Sequence, residues 1–192
     1  MRIAVFGTGA VGGYFGGRLA QAGEDVVFIA RGDHLKAMLK RGLKVDSVNG
    51  DFLVKPVQAT DDPAQVGIVD VVLVGVKAWQ VQDAAEVIRP MVGPNTVAMP
   101  LQNGLEAPTQ LAAVLGDQHV LGGLCGLSTF IVGPGHVRHA GADPFVRLGT
   151  GERGSGRGRG TELGRNPGRA VSVERRGCIQ GKGKSQGIDR RD

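Results

Sequence analysis

Cysteine is nearly missing from this chain: Cys125 and Cys178 are the only two, too few for a disulfide framework, so a reducing compartment is expected. Long hydrophobic runs are missing too. No stretch approaches the roughly 18 apolar residues needed to span a bilayer, and no membrane association is expected. The N-terminus lacks the charged region and cleavage site of a secretory signal and leads straight into a strand pattern, which points to a cytoplasmic protein. There is no internal repeat. The last 42 residues, 151–192, have no aromatic side chain and few large aliphatics, against 11 glycines and 9 arginines. So little apolar surface cannot offset the ordering entropy of so many glycines, and the tail is expected to be largely disordered.

Charge divides at the same place. Residues 1–150 carry 12 Lys and Arg against 13 Asp and Glu, whereas residues 151–192 carry 11 against 5, so the overall net charge of +5 belongs to the tail. A flexible basic segment attracts phosphates at low salt. Sequence-tolerant single-strand binders interleave aromatics for base stacking, and with none here no specific nucleic-acid partner is expected.

What is present begins at residue 2. The apolar run Arg2-Ile3-Ala4-Val5-Phe6 leads into Gly7-Thr8-Gly9-Ala10-Val11-Gly12 and then a helical run to Ala22. A strand running into G-x-G-x-x-G and then a helix is the context in which that pattern indicates a dinucleotide site. Gly7 permits the turn off the strand, Gly9 lets the backbone approach a pyrophosphate, and Gly12 lets helix and strand pack closely. The helix N-terminus, through Thr8, Ala10 and Val11, offers N–H groups and a positive dipole end to the phosphates. A second strand, Asp25 to Ala30, ends at Arg31. An NAD-selective site generally has an acidic residue near here for the ribose 2′-hydroxyl, whereas an arginine accommodates a 2′-phosphate, so NADP(H) is the expected cofactor with Arg31 as its clamp.

Further along, Asp33 is a candidate N-cap for a helix that Gly42 closes, with His34 in its first turn as a packing or surface residue. Leu43 to Val48 and Phe52 to Val57 read as a hairpin about Asn49-Gly50. The continuous apolar strand Ile68 to Val76 delivers Lys77 at its carboxyl end, where ligands of open α/β sheets bind. A helix, Val81 to Met91, and a strand, Thr96 to Met99, follow; the strand ends in Pro100-Leu101-Gln102-Asn103-Gly104. Glu106 to Leu115 is one more helix. From His119 to Leu148 short strands broken by glycines suggest an antiparallel edge. The fold class is therefore α/β: a Rossmann-like, doubly wound, mostly parallel sheet over residues 1–150, followed by the low-complexity tail 151–192.

The opening IAVFGTGAVGGYFGGRLAQAG, then FIARGDHLKAMLKRGL, VKAWQVQDA, PLQNGLE and the GPGHVRHAG turn, taken in that order, resemble the nucleotide-binding half of the ketopantoate reductase (2-dehydropantoate 2-reductase) family. That family reduces 2-dehydropantoate to (R)-pantoate with NADPH, on the route to pantothenate and coenzyme A. The resemblance implies Gly7, Gly9 and Gly12 at the pyrophosphate, Arg31 at the 2′-phosphate, and Lys77 and Asn103 as catalytic and cofactor-side residues near nicotinamide and substrate. The residue types agree: Lys77 offers a positive charge and a proton donor for a 2-oxo acid's carboxylate or developing alkoxide, and Asn103 an orienting amide. No metal is implied. The family's helical second domain, which supplies its catalytic lysine, is not recognisable here; Gly/Arg-rich sequence stands in its place, as a truncated or frame-shifted reading would leave it. Two alternatives stay open: a non-catalytic NADP(H)-binding fragment, and another 2-oxo or 3-hydroxyacid dehydrogenase. The apolar face left by a missing domain is a reason to expect association, as a homodimer or an aggregate.

Overall fold

The structure, a computed structural model of the whole chain, describes residues 1–103 and 105–149 and the backbone of Thr161–Leu163. Its frame is a five-stranded sheet in which every neighbouring pair is parallel. The strands are β1 (Arg2–Phe6), β2 (Asp25–Ile29), β5 (Gln58–Thr60), β6 (Val69–Val74) and β7 (Val92–Pro100), in the order β5-β2-β1-β6-β7. β1 stands in the middle. The chain winds outward through β2 to β5, then returns across β1 to lay down β6 and β7 on the other side. The reversal puts a crevice at the carboxyl ends of β1 and β6, where such sheets bind ligands.

Alternation along the apolar runs supplies both faces. Ile3, Val5, Val26, Phe28, Val71 and Leu73 share one buried cluster, while Ala4, Val27, Ile29, Val72 and Val74 share the other. Over the second face lie α3 (Val81–Ile88) and α4 (Glu106–Leu115), contributing Val81, Ala84, Ala85, Ile88, Ala107 and Leu111. Over the first lies α1 (Ala10–Gln21). It is clasped on its other side by a four-stranded sheet ordered β4-β3-β10-β9, made of β3 (Leu43–Ser47), β4 (Phe52–Val54), β9 (Thr129–Gly133) and β10 (His136–His139). Side chains would not fit on either flank of this helix. A Cβ on Gly16 would stand 2.7 Å from Phe28 and Val5, and one on Gly17 would stand 2.9 Å from Phe52.

The hairpin expected around Asn49-Gly50 is present as β3 and β4, paired antiparallel. The antiparallel strands expected after residue 119 are present as well, but they do not extend the parallel sheet. β9 and β10 join the hairpin's sheet, with β10 parallel to β3; β8 (Gly122–Gly126) and β11 (Phe145–Gly149) form a third sheet with Thr161–Leu163. The expected strand to Val57 stops at Val54, and Gln58–Thr60 becomes a separate strand alongside β2. Apart from the backbone of Thr161–Leu163, the tail and Cys178 lie outside the described residues. No described helix is long and apolar enough to cross a membrane.

Arg18 of α1 fastens the hairpin. Its guanidinium lies over the Phe52 ring, 4.3 Å from the centroid, and donates to the carbonyls of Asn49 (3.3 Å) and Gly50 (3.1 Å). Arg18→Ala is expected to lower the stability to urea by about 1–3 kcal/mol with an unchanged m-value. An unmoved midpoint would show that the guanidinium only decorates the turn.

Candidate functional site

The crevice begins where β1 ends. Gly7 has φ +87°, and a Cβ there would stand 2.9 Å from the Val76 amide nitrogen, so both conformation and space demand glycine. Thr8, expected among the cofactor contacts, is buried with its polar groups turned inward. Its N–H donates to the Ile29 carbonyl at 3.0 Å, and its hydroxyl lies 3.0 Å from the same oxygen. Thr8 therefore ties the loop to the end of β2. At Gly9 a Cβ would meet nothing within 4 Å, so the backbone here is bare on its open side. At Gly12 a Cβ would stand 2.5 Å from the Gly7 carbonyl oxygen and 3.0 Å from Val5, which is the close helix–strand approach the motif spacing predicts.

The first turn of α1 has the electrostatics of an anion site. The Gly9 N-cap makes no side-chain capping bond, and no acidic residue stands in the first turn. Helix geometry leaves the N–H groups of Ala10, Val11 and Gly12 without intrahelical acceptors, at the positive end of the dipole. These residues fit a diphosphate: bare backbone at Gly9, unpaired donors beyond it, and no carboxylate to repel it. Gly75, which the glycine pattern alone does not reveal, completes the cradle. Its N–H donates to the Phe6 carbonyl at 2.7 Å, and a Cβ on it would stand 2.9 Å from the Gly7 carbonyl oxygen.

Arg31 follows β2 by two residues, so the Thr8–Ile29 hydrogen bonds hold its segment beside the glycine loop. It occupies the N-cap position of α2 (Gly32–Arg41) in extended conformation, and its exposed guanidinium has no partner among the described residues. Asp33, the expected N-cap, sits instead within the first turn, its carboxylate 3.5 Å from Lys36 Nζ. The helix starts at Gly32, two residues before the start an Asp33 cap would set, with Gly32 itself at positive φ. His34 accepts the Gly135 N–H at Nδ1 (3.1 Å), packing α2 against the β9–β10 turn, and burial lowers its pKa from the ordinary histidine value.

On the other side of the crevice the ends of β6 and β7 are joined. The Leu101 N–H donates to the Val74 carbonyl at 3.0 Å, and buried Gln102 donates through Nε2 to the carbonyls of Val74 (3.1 Å) and Val76 (2.8 Å). Lys77 and Asn103 are the residues next beyond these bonds, so the structure brings them to one rim, both exposed. The Lys77 N–H is held by Gln80 Oε1 at 3.2 Å, and its ammonium has no partner among the described residues. Trp79 and Leu105, 79% and 93% exposed, stand beside them in the chain as bare apolar surface. Gly104 lies outside the described residues.

Behind this rim, Cys125 of β8 donates its thiol to the Leu101 carbonyl at 2.9 Å, and burial pushes the thiol up to about 11. A thiol held protonated and covered is a poor nucleophile. In the folded chain at pH 8, maleimide labelling mapped to the peptide containing Cys125 is expected to be at least tenfold slower than in urea. Equal rates would mean that this corner of the fold opens freely.

Comparison with known proteins agrees with the fold. A family model described as ketopantoate reductase PanE/ApbA matches residues 3–153. The 2-dehydropantoate 2-reductase of a Nostoc species is 38% identical over 138 residues, which are 72% of this chain and 43% of that protein. The crystal structure of 2-dehydropantoate 2-reductase from Geobacter metallireducens superposes with a TM-score of 0.75 at 40% identity, over 81% of this chain and 52% of the other. A structure of D-mandelate dehydrogenase with NADH superposes with a TM-score of 0.66 at 25% identity, over 77% of this chain and 46% of the other. The chain thus spans about half the length of the relatives it matches.

Proposed function

The chain belongs to the ketopantoate reductase PanE/ApbA family, and from that premise we propose that residues 1–150 form the cofactor-binding half of an NADPH-dependent reductase of 2-dehydropantoate, acting in the cytoplasm on the route to pantothenate. The observation that carries this reading is the arrangement across one crevice: an uncapped helix N-terminus and the unpaired Arg31 on one side, and Lys77 and Asn103 on the other.

When bound, NADPH would supply the hydride for a keto carbon. The N–H groups at the start of α1 would hold the pyrophosphate, and Arg31 the 2′-phosphate. Lys77, an exposed cation at a strand end, is suited to bind the 2-oxo acid's carboxylate or to give a proton to the forming alkoxide. The Asn103 amide would orient the carbonyl or the nicotinamide carboxamide. Trp79 and Leu105 would wall off water once covered, and a homodimer is one way to cover them.

A second reading is favoured by the likeness to D-mandelate dehydrogenase with NADH: an NADH-dependent reduction of another 2-oxo acid. The unpaired cation at Arg31 argues against it. A third is NADP(H) binding without turnover, since positioning of the substrate needs groups on both sides. One preparation decides among them, by fluorescence titration with NADPH and NADH and by absorbance at the nicotinamide band with 2-dehydropantoate added. NADPH binding with turnover that Lys77→Ala abolishes supports the reductase. Binding without turnover supports the third reading, and a preference for NADH supports the second.

A further inference from the structure

We infer that Gln102 is a positioning residue that couples the nicotinamide side of the crevice, Lys77 and Asn103, into one unit, and that it does so without a hydrogen bond to residues 7–12 of the glycine loop. This rests on the nucleotide-binding reading above.

Gln102 is 8% exposed. Its amide nitrogen has two hydrogens, and both are engaged: one with Val74, the last residue of β6, and one with Val76, immediately before Lys77. The side chain thus reaches from β7 into the neighbouring segment and closes the gap left where the two strands cease to pair at Pro100. Backbone bonding alone supplies one link past that point, from the Leu101 N–H to the Val74 carbonyl. Among the described residues no backbone bond reaches beyond it to Val76, and the only hydrogen bond from the Asn103 side to the residue before Lys77 is the amide of Gln102.

The other end of the same amide sharpens the argument. Its Oε1 is buried and has no donor among the described residues. A buried acceptor without a partner is a cost, and a hydrophobic side chain of similar volume would avoid it. Retaining glutamine here makes sense if its two donors hold a geometry that packing alone would not. The glycine loop is fastened by a separate set of bonds: Thr8 to Ile29, Gly9 to Gly7 and Gly75 to Phe6. Gly75 lies between the two residues that Gln102 holds, but its own N–H is tied to Phe6, so loosening the Gln102 link should be felt mainly at the nicotinamide end of a bound dinucleotide.

Gln102→Leu removes both donors and nearly conserves volume. The full chain carrying it is to be titrated with NADPH and with adenosine 2′,5′-bisphosphate, which has the 2′-phosphate but no nicotinamide. The expected result is about tenfold weaker NADPH binding with bisphosphate binding within twofold of the parent. Equal loss of both ligands, or loss of neither, overturns the inference. If the parent chain binds neither ligand, the nucleotide reading itself fails and this inference falls with it. Should Gln102→Leu fail to fold, amide exchange in the parent chain reads the same coupling. NADPH, but not the bisphosphate, is expected to slow exchange over residues 77–80 and 101–103 together, and slowing in one segment alone would overturn the coupling.

Discussion

Arg31→Ala is expected to weaken NADPH binding roughly tenfold to a hundredfold while leaving NADH binding within about twofold. Hydrogen bonds to a charged group contribute about 1.5–3 kcal/mol, and each 1.4 kcal/mol is a factor of ten in affinity. A guanidinium on a phosphate is of this kind, with planar, forked donors matched to the oxygens. The side chain is exposed, so solvent and salt screen it, and the effect should sit at the lower end and shrink as ionic strength rises. The fold should not notice the change. Arg31 is an N-cap without a side-chain capping bond, and its guanidinium has no partner among the described residues. Arg31→Lys should restore part of the loss, because a point charge keeps the attraction without the fork. Titrations of both dinucleotides at low and near-physiological salt would check this. A parallel loss of NADH affinity would move Arg31 from the 2′-phosphate to the general cofactor site.

How far the site could be read from the residues depended on the range of the interactions. The glycine loop was legible because its demands are local: Gly7, Gly9 and Gly12 answer to a turn, an approach and a packing contact within six residues of one another. The apolar runs at Val26–Ala30 and Ile68–Val76 declared themselves as covered parallel strands. Lys77 and Asn103 could be placed at strand ends, but that those ends are neighbours is a property of the strand order, in which β7 pairs β6. Gln102 is hard to single out for the same reason. A glutamine before Asn-Gly reads as part of a turn, and only the closeness of Val74 and Val76 turns its amide inward. Gly75 was hidden in an apolar strand, where nothing local says that the glycine loop lies against it. The antiparallel strands after residue 119 are legible as strands, but their partners are not, because β10 pairs with β3 across some ninety residues of chain. Asp33 reads as a cap from its side chain alone, but Arg31 holds the N-cap position and Asp33 falls within the first turn.

Gly9→Ala and Gly12→Ala are expected to fail in opposite ways. A methyl group on Gly9 meets nothing within 4 Å, and the backbone there is extended at φ −88°, a conformation alanine adopts. Gly9→Ala should therefore fold with a Tm close to the parent's. Yet that methyl stands on the bare backbone where the pyrophosphate is proposed to approach, and NADPH affinity should fall by more than about tenfold, since even a small displacement of a phosphate from its donors forfeits charge-assisted bonds. Gly12→Ala inverts the order. Its methyl would stand 2.5 Å from the Gly7 carbonyl oxygen and 3.0 Å from Val5, both set by backbone and core rather than by a side chain free to swing away. Relief requires α1 to lift from β1, and overpacking of this kind costs typically about 1–3 kcal/mol, several degrees in Tm for a domain of this size. Binding should weaken too, but as a consequence of the displaced helix, so it should track the loss of stability. Thermal unfolding and NADPH titration on the two variants give four numbers. Equal Tm losses would mean that the loop is only a packing device. A normal NADPH affinity in Gly9→Ala would mean that the diphosphate does not lie over this backbone, and the anion-site reading of α1 would have to be given up.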